Sequence, residues 1–289
     1  MRRPLALIRA LALAAAISAG GGSVAAAETD SVMRPVLSQY MIEAGSAHPC
    51  DTYLTPLHYS GWQGALAYER MQAMRFDPER WVMALGGRLS LGRALNPARN
   101  AAMWSIAFNP HWTMLWRHRL PAGFTVGAGG RVEALAGALY LARNGNNPVA
   151  ARGSLTIGAA ALAAWNGRIG PLRLTLAYRP SMPLTGIFFA PDYDELYYEI
   201  WLGNHRGLVH GAWPGNYFRL DNLVTADLHF GATTLRLGYR CGIFSQRASG
   251  IVSREVAHSL VVGICTEWLS LRADRARTPD ARIISPLYQ

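Results

Sequence analysis

The chain has 289 residues, a formal net charge of +10 and 51% hydrophobic residues, and all 28 of its basic residues are arginine. Without lysine there is no Walker-type phosphate lysine, no lysine Schiff base and no lysine general base. Three cysteines, Cys50, Cys241 and Cys265, are an odd set, so at least one has no partner within the chain.

The N-terminus reads as an export signal. Met1-Arg2-Arg3 is a short basic start, Leu5 to Ile17 is apolar except for Arg9, and Ala25-Ala26-Ala27 offers a small-x-small cleavage site. Residues 1–27 are therefore expected to leave as a signal peptide, taking three arginines and lowering the charge from +10 to +7. An exported chain rarely meets nucleic acid. Lipopolysaccharide phosphates or a small anionic solute are the expected partners of the remaining charge. Residues 28–50 read as a lead-in, 51–271 as the folded body and 272–289 as a tail rich in arginine and acid.

After the signal no run of about 18 uncharged apolar residues remains, which excludes a spanning helix. What recurs is period-2 alternation, the pattern of a strand with one apolar and one polar face. Trp62, Leu66 and Tyr68 alternate with Gln63, Ala65, Ala67 and Glu69. Trp81, Met83, Leu85, Leu89 and Leu91 follow the same rule. From Trp104 to Trp116 the even positions hold Trp104, Ile106, Phe108, Trp112, Met114 and Trp116, with Pro110 as a possible break in the ladder. Phe124 and Val126, then Leu172, Leu174, Leu176 and Tyr178, continue the series.

Two hairpins test the faces. A turn at Asn166-Gly167 would set Ile157 opposite Leu176 and Leu155 opposite Tyr178. A turn at Gly231-Ala232 would set Leu228 opposite Leu235, Ala226 opposite Leu237, Val224 opposite Tyr239 and Asp227 opposite Arg236. In both, apolar faces coincide. A further turn near Gly250 would put Cys241 opposite a residue near 258 and Cys265 opposite one near 234. The two cysteines are then roughly 25 Å apart, too far for a disulfide. All three cysteines read as unpaired.

These features predict an all-β fold, an antiparallel transmembrane β-barrel of the outer-membrane type with about 10–12 strands. A soluble periplasmic β-sandwich binding protein would alternate in the same way. Long strand candidates, small or charged inward residues such as Gly127, Arg131, Thr156, Gly158 and Arg173, and aromatics near strand ends favour the barrel. Trp104, Trp112, Trp116, Tyr178 and Tyr239 are the expected membrane girdle. Outer-membrane lipid and the barrel-insertion machinery are then expected partners.

Several segments together resemble a family of secreted bacterial proteins, domain-of-unknown-function family 3316. They are Tyr53-Leu54-Thr55-Pro56-Leu57 with Tyr59 and Gly61, Asn144-Gly145-Asn146-Asn147-Pro148 with Ala150-Ala151-Arg152, and Pro183, Gly186, Phe189, Pro191 and Tyr193 before Tyr197-Tyr198-Glu199. Asn216-Tyr217-Phe218, Asp221-Asn222, Thr225 and Asp227, Leu235 to Tyr239, and His258-Ser259 with Gly263 complete the set. Their order and spacing carry the likeness from about Asp51 to Ile264. The resemblance implies an outer-membrane barrel and carries over no catalytic residue.

No catalytic, cofactor-binding or metal-ligating set is expected. His258 and Ser259 are adjacent on a strand and point to opposite faces, so they cannot act as base and nucleophile. His205 and His210 have no metal-ligand spacing, and Asp192, Asp194, Glu195 and Glu199 read as a solvated loop. The strongest constellation is electrostatic: Asp221, Thr225, Asp227 and His229 share a face with Arg236 and Arg240, and Arg173 and Arg179 join them as a lumen charge network. Such a network either plugs a barrel or forms a selectivity ring. The expected role is a scaffold barrel or narrow channel with an arginine-lined lumen, with an outer-membrane lipid-modifying enzyme as the alternative.

Overall fold

The computed structural model describes residues 32–145, 147–192, 196–230, 233–269 and 282–288. In chain order the strands are β1 (Val32–Met33), β2 (Val36–Asp51), β3 (Ser60–Ala73), β4 (Trp81–Leu95), β5 (Ala102–Arg119), β6 (Phe124–Leu141), β7 (Val149–Ile169) and β8 (Leu172–Phe189). They continue with β9 (Val209–Ala212), β10 (Tyr217–Phe230), β11 (Thr233–Ala248), β12 (Ile251–Trp268) and β13 (Arg282–Ile283); a one-turn helix, α1 (Tyr197–Trp201), precedes β9.

Among the described residues ten strands, β2–β8 and β10–β12, pair antiparallel with their neighbours, and β8 pairs with β10 to close the ring. This is a barrel of the outer-membrane type. Closure removes the open edges that a sandwich keeps. No helix among the described residues is long and apolar enough to cross a membrane.

Register fixes the tilt. One cross-strand row starts at Trp268 and runs through Val36, Gln72, Met83, Met114, Gly130, Ala159 and Met182. It continues past the Ser181–Asp221 pair to Leu220, then Ile243, and returns to β12 at Val256, twelve residues (268 − 256) from its start. A shear of twelve over ten strands corresponds to a tilt of about 40° and a backbone radius of about 10 Å.

One end of the barrel carries the start of β2, the end of β12 and the connections 74–80, 120–123 and 170–171; we call it the terminal end. The other, the loop end, carries 52–59, 96–101, 142–148 and the long segment 190–216 with α1 and β9. Side chains alternate as the sequence requires: Ile42, Leu66, Leu89, Ile106, Ile157, Val224, Leu237 and Val262 are exposed on the outside. The inside has three zones. Leu37, Met71, Val82, Leu115, Leu162, Cys265 and Leu287 pack at the terminal end. Leu54, Tyr59, Met103, Leu139 and Leu141 pack at the loop end, where Phe188, Ala212 and Tyr217 form a second cluster. Charged and polar side chains, with a small apolar cluster of Met41, Leu223 and Val261 among them, fill the space between.

Three expectations need correction. Residues 36–50 belong to β2, bonded to both β12 and β3, and are no lead-in. The alternation fades there because small Ala44 and polar Ser46 and His48 stand where large apolar residues would mark the outer face. Asn166 and Gly167 lie inside β7, and the turn falls at Gly170-Pro171. Gly170, at φ +60°, supplies the positive φ that a tight hairpin turn needs at its first central position. Ile157 therefore faces Thr185 and Leu155 faces Ile187, with a bulge between Ile157 and Gly158, although the outward parity is as expected. Finally, residues 282–288, assigned to a tail outside the folded body, are bonded to the barrel's terminal end.

Gly231-Ala232 and the region of Leu271 lie outside the described residues, but the β10–β11 register is the expected one, including Asp227 opposite Arg236. Cys241 pairs with His258 and Cys265 with Thr234, and all three cysteines are free. Pro110 leaves β5 intact. It interrupts the bonding to β6 for two residues, the register resumes unchanged at His111–Glu133, and the Asn109 side chain donates to the Ala134 carbonyl at 3.5 Å.

Candidate functional site: the charged lumen

The lumen residues form a stack of ion-paired layers. Nearest the terminal end, Arg236 of β11 holds Asp227 of β10 through Nε–Oδ1 at 2.7 Å and Nη2–Oδ2 at 2.6 Å, with neither side chain exposed. Arg236 also donates to Gln39, whose amide donates to Glu69 at 3.1 Å. Glu69 in turn accepts from Arg179 and lies 3.0 Å from His111 Nε2. Six strands are thereby tied together across the barrel.

The next layer centres on Glu43 of β2, which accepts from Arg240 at 2.9 Å and from Arg88 at 2.8 Å, while Arg240 also binds Asp221. Above it Glu133 accepts from Arg131 Nε at 2.9 Å and is ion-paired with Arg219 at 2.6 Å. Closest to the loop end, Arg152 of β7 reaches across to Glu255 of β12 at 2.7 Å and to Ser253 at 2.8 Å. Buried ions are tolerated when each is paired, and every ion of these layers has an oppositely charged partner, although Arg152 Nε is left without a hydrogen bond. Among the described residues, cavities between the layers have volumes of about 90, 60 and 10 Å³. Each holds a few waters at most and no solute of any size.

The expected network residues divide between two places. Asp221, Asp227, Arg236, Arg240 and Arg179 are in the layers. His229 and Arg173 face each other across β10 and β8 at the terminal end. There Thr175 donates to Asn166 at 2.7 Å, so His229 Nε2 donates to Thr175 and Nδ1 accepts from Thr234, both at 2.9 Å. Arg173 is exposed and lines a vestibule of about 890 Å³ together with Arg119, Arg168, Glu267 and Tyr288.

The tail closes this end. Tyr288 donates to Asp227 Oδ2 at 3.0 Å and sets its ring edge-on to His229. Arg117, 1% exposed, donates to four carbonyls: Pro78 at 2.8 Å, Glu79 at 3.0 Å, Ser285 at 2.8 Å and Pro286 at 2.5 Å. Reasoning from sequence missed Arg117, as well as Glu43, Glu69, Glu133, Arg152 and Glu255. Their inward parity was the available signal for five of them; Glu43 was hidden by the lead-in assignment.

Trp104, Trp112, Trp116, Tyr178 and Tyr239 are all exposed on the outer face. Trp104 and Trp116 are separated by about 30 Å along the barrel axis after the tilt, and Trp112 falls between them. His258 points outward, 2.5 Å from the Tyr239 hydroxyl, while Ser259 is buried on the lumen side. Ser60 and His48 do meet, Oγ to Nδ1 at 2.8 Å, on the outer face at the loop end, with no carboxylate orienting the ring among the described residues. His210 bonds the Ala190 carbonyl at 3.1 Å and His205 is exposed. Glu199 caps α1; Asp194 and Glu195 lie outside the described residues. No group of three or more His, Cys, Asp or Glu able to hold a metal occurs among the described residues.

A family model described as "Protein of unknown function (DUF3316)" matches residues 5–275. The chain belongs to the DUF3316 family. No curated protein matches it in sequence. Solved structures similar to this DUF3316 chain include the outer membrane protease OmpT from Escherichia coli, with 6% identity, 86% of this chain and 100% of that chain covered, and a TM-score of 0.43. The transport unit of the autotransporter AIDA-I from Escherichia coli has 9% identity, coverage of 93% and 100%, and a TM-score of 0.36. The translocator domain of the autotransporter NalP from Neisseria meningitidis has 15% identity, coverage of 91% and 96%, and a TM-score of 0.33. At these values the likenesses transfer no activity to the DUF3316 chain.

Proposed function

We propose that this protein is an integral outer-membrane barrel that is closed to solutes and acts as a scaffold presenting its loop end. The observation that carries this is the filled lumen: ion-paired layers from Asp227–Arg236 to Arg152–Glu255, between an apolar cap at each end, with residues 282–288 seated on the terminal side. The apolar outer face and the short terminal-end connections support residence in the outer membrane with the loop end outward. What it would present is segment 190–216 with α1, anchored where Ala151 N–H donates to Tyr197 Oη at 2.6 Å. Cell fractionation and planar-bilayer recording test the reading. A folded barrel recovered in the outer membrane and silent in bilayers is expected; steady conductance by the intact chain overturns it.

One observation favours a second reading, a narrow anion path. The terminal vestibule is lined by Arg119, Arg168 and Arg173, and only the tail separates it from the Asp227–Arg236 pair. In that reading residues 282–288 act as a gate, and their deletion produces conductance that Arg236→Ala alters.

A further inference from the structure

A second charged feature lies outside the lumen, and the register sets its height. Arg93 of β4 pairs with Trp62 of β3 on one side and Trp104 of β5 on the other, all facing outward, with its guanidinium 5.6 Å from the Trp104 ring centre. The same row continues through Ser46 to His258 on β12. Rows climb about 1.2 residues per strand toward the loop end, from twelve over ten strands. Three strands on, Arg93 stands about 3.6 residue steps above His258. Arg254 is four steps above His258 along β12, so the two arginines are level to within about 1 Å.

The same reckoning brings in a histidine and a third arginine. His48 is level with Arg93, and Arg247 of β11 is about 3 Å higher. Arg247, Arg254 and His48 are exposed on the outer face. Across five adjacent strands, β11, β12 and β2 and, beyond Trp62 of β3, β4 thus carry a basic arc roughly 25 Å long at the level of the Trp62–Trp104 pair. No aspartate or glutamate of the described barrel strands shares that face: Glu43, Glu69, Glu133, Asp221, Asp227 and Glu255 point into the lumen, Asp51 is buried with the same inward parity, and Glu267 lines the terminal vestibule. None of the three arginines has an ion pair among the described residues. At the same height β6 and β7 present Ala138 and Gly153, so the arc is one-sided.

Cations without acids, set among tryptophans at the rim of an apolar band, are complementary to lipid headgroup phosphates. We propose that this arc binds the phosphates of a phosphorylated glycolipid in the outer leaflet, with Arg93 and Arg254 as its principal contacts. The inference rests on the membrane reading above.

The test uses the full folded chain in detergent, with the heat-modifiable gel mobility of the barrel read against temperature. Bisphosphorylated lipid A, its dephosphorylated form and inorganic phosphate are titrated in separate arms. The wild type is expected to melt later with bisphosphorylated lipid A alone. Arg93→Gln/Arg254→Gln is expected to show the same folded mobility and to need about tenfold more of that lipid for the same shift. Arg70→Gln, on the outer face near the terminal end, serves as the control and is expected to respond as wild type. A double variant that responds like wild type overturns the proposal, as does an equal shift with dephosphorylated lipid A. An equal shift with inorganic phosphate makes it a soluble-anion site and overturns the lipid assignment. A chain that gains no folded mobility in any detergent or vesicle overturns the membrane reading, and this inference with it.

Discussion

Asp227 and Arg236 face each other across β10 and β11, joined by two parallel N–H···O bonds with both side chains fully enclosed. Removing either partner strands an ion in a dry interior, where breaking a buried pair costs about 3–5 kcal/mol. Asp227→Ala is therefore expected to lower unfolding stability by that amount, measured by urea titration in vesicles. Asp227→Leu combined with Arg236→Met removes both charges and is expected to recover most of the loss. Similar losses in the single and double variants would mean that the pair does not act as a unit.

The tail lies over the same pair and shields Cys265, which is 1% exposed and packs with Leu287. With Cys50 and Cys241 replaced by serine, Cys265 is expected to resist a polar maleimide. Deleting residues 282–289 is expected to raise its labelling rate at least about tenfold, since protection follows the local opening free energy. An unchanged rate would show that the tail does not cover the lumen.

The fold was legible wherever one face is apolar without interruption. From Trp104 to Trp116 the parity survived Pro110 because the residues on both sides keep their register and Asn109 fills the missing donor. β2 was not legible, because Ser46 and His48 put polar groups on the outer face at the rim. The Asn166-Gly167 signal misled for a different reason. Asn166 is committed to the Thr175 hydroxyl within the sheet, so the turn moves four residues on to Gly170-Pro171. In the lumen, parity identifies which charges point inward, but not which pair. Arg152 meets Glu255 across the barrel from another strand altogether, a contact that only closure creates.

Local turn chemistry gives a sharper test at the loop end. Ser249 and Gly250 connect β11 to β12 with φ of +48° and +78°, the two positive values a type I′ turn requires. Gly250→Ala is expected to cost about 1 kcal/mol, while Ser249→Asn, which tolerates positive φ, is expected to be neutral or stabilising. Equal effects of the two would contradict this turn assignment. Unfolding midpoints of the refolded variants decide it.

Alkaline pH should loosen both ends of the barrel. Burial pushes the phenols of Tyr59 and Tyr197, in the loop-end connections, and of Tyr288, in the tail, above their ordinary value of 10.0. For Tyr288 the neighbouring Asp227 carboxylate acts in the same direction. A raised folded pKa keeps the proton on the folded chain while the unfolded chain loses it, so stability falls as pH rises above the unfolded value. Unfolding stability is expected to be flat through neutral pH and to decline above about pH 10. Tyr197→Phe keeps the ring, loses the acceptor for Ala151 N–H, and removes one ionising group. Its stability is expected to be lower at neutral pH and to decline less steeply in alkali, as is that of Tyr288→Phe. A decline as steep as wild type in the double variant would place the alkaline response elsewhere in the chain.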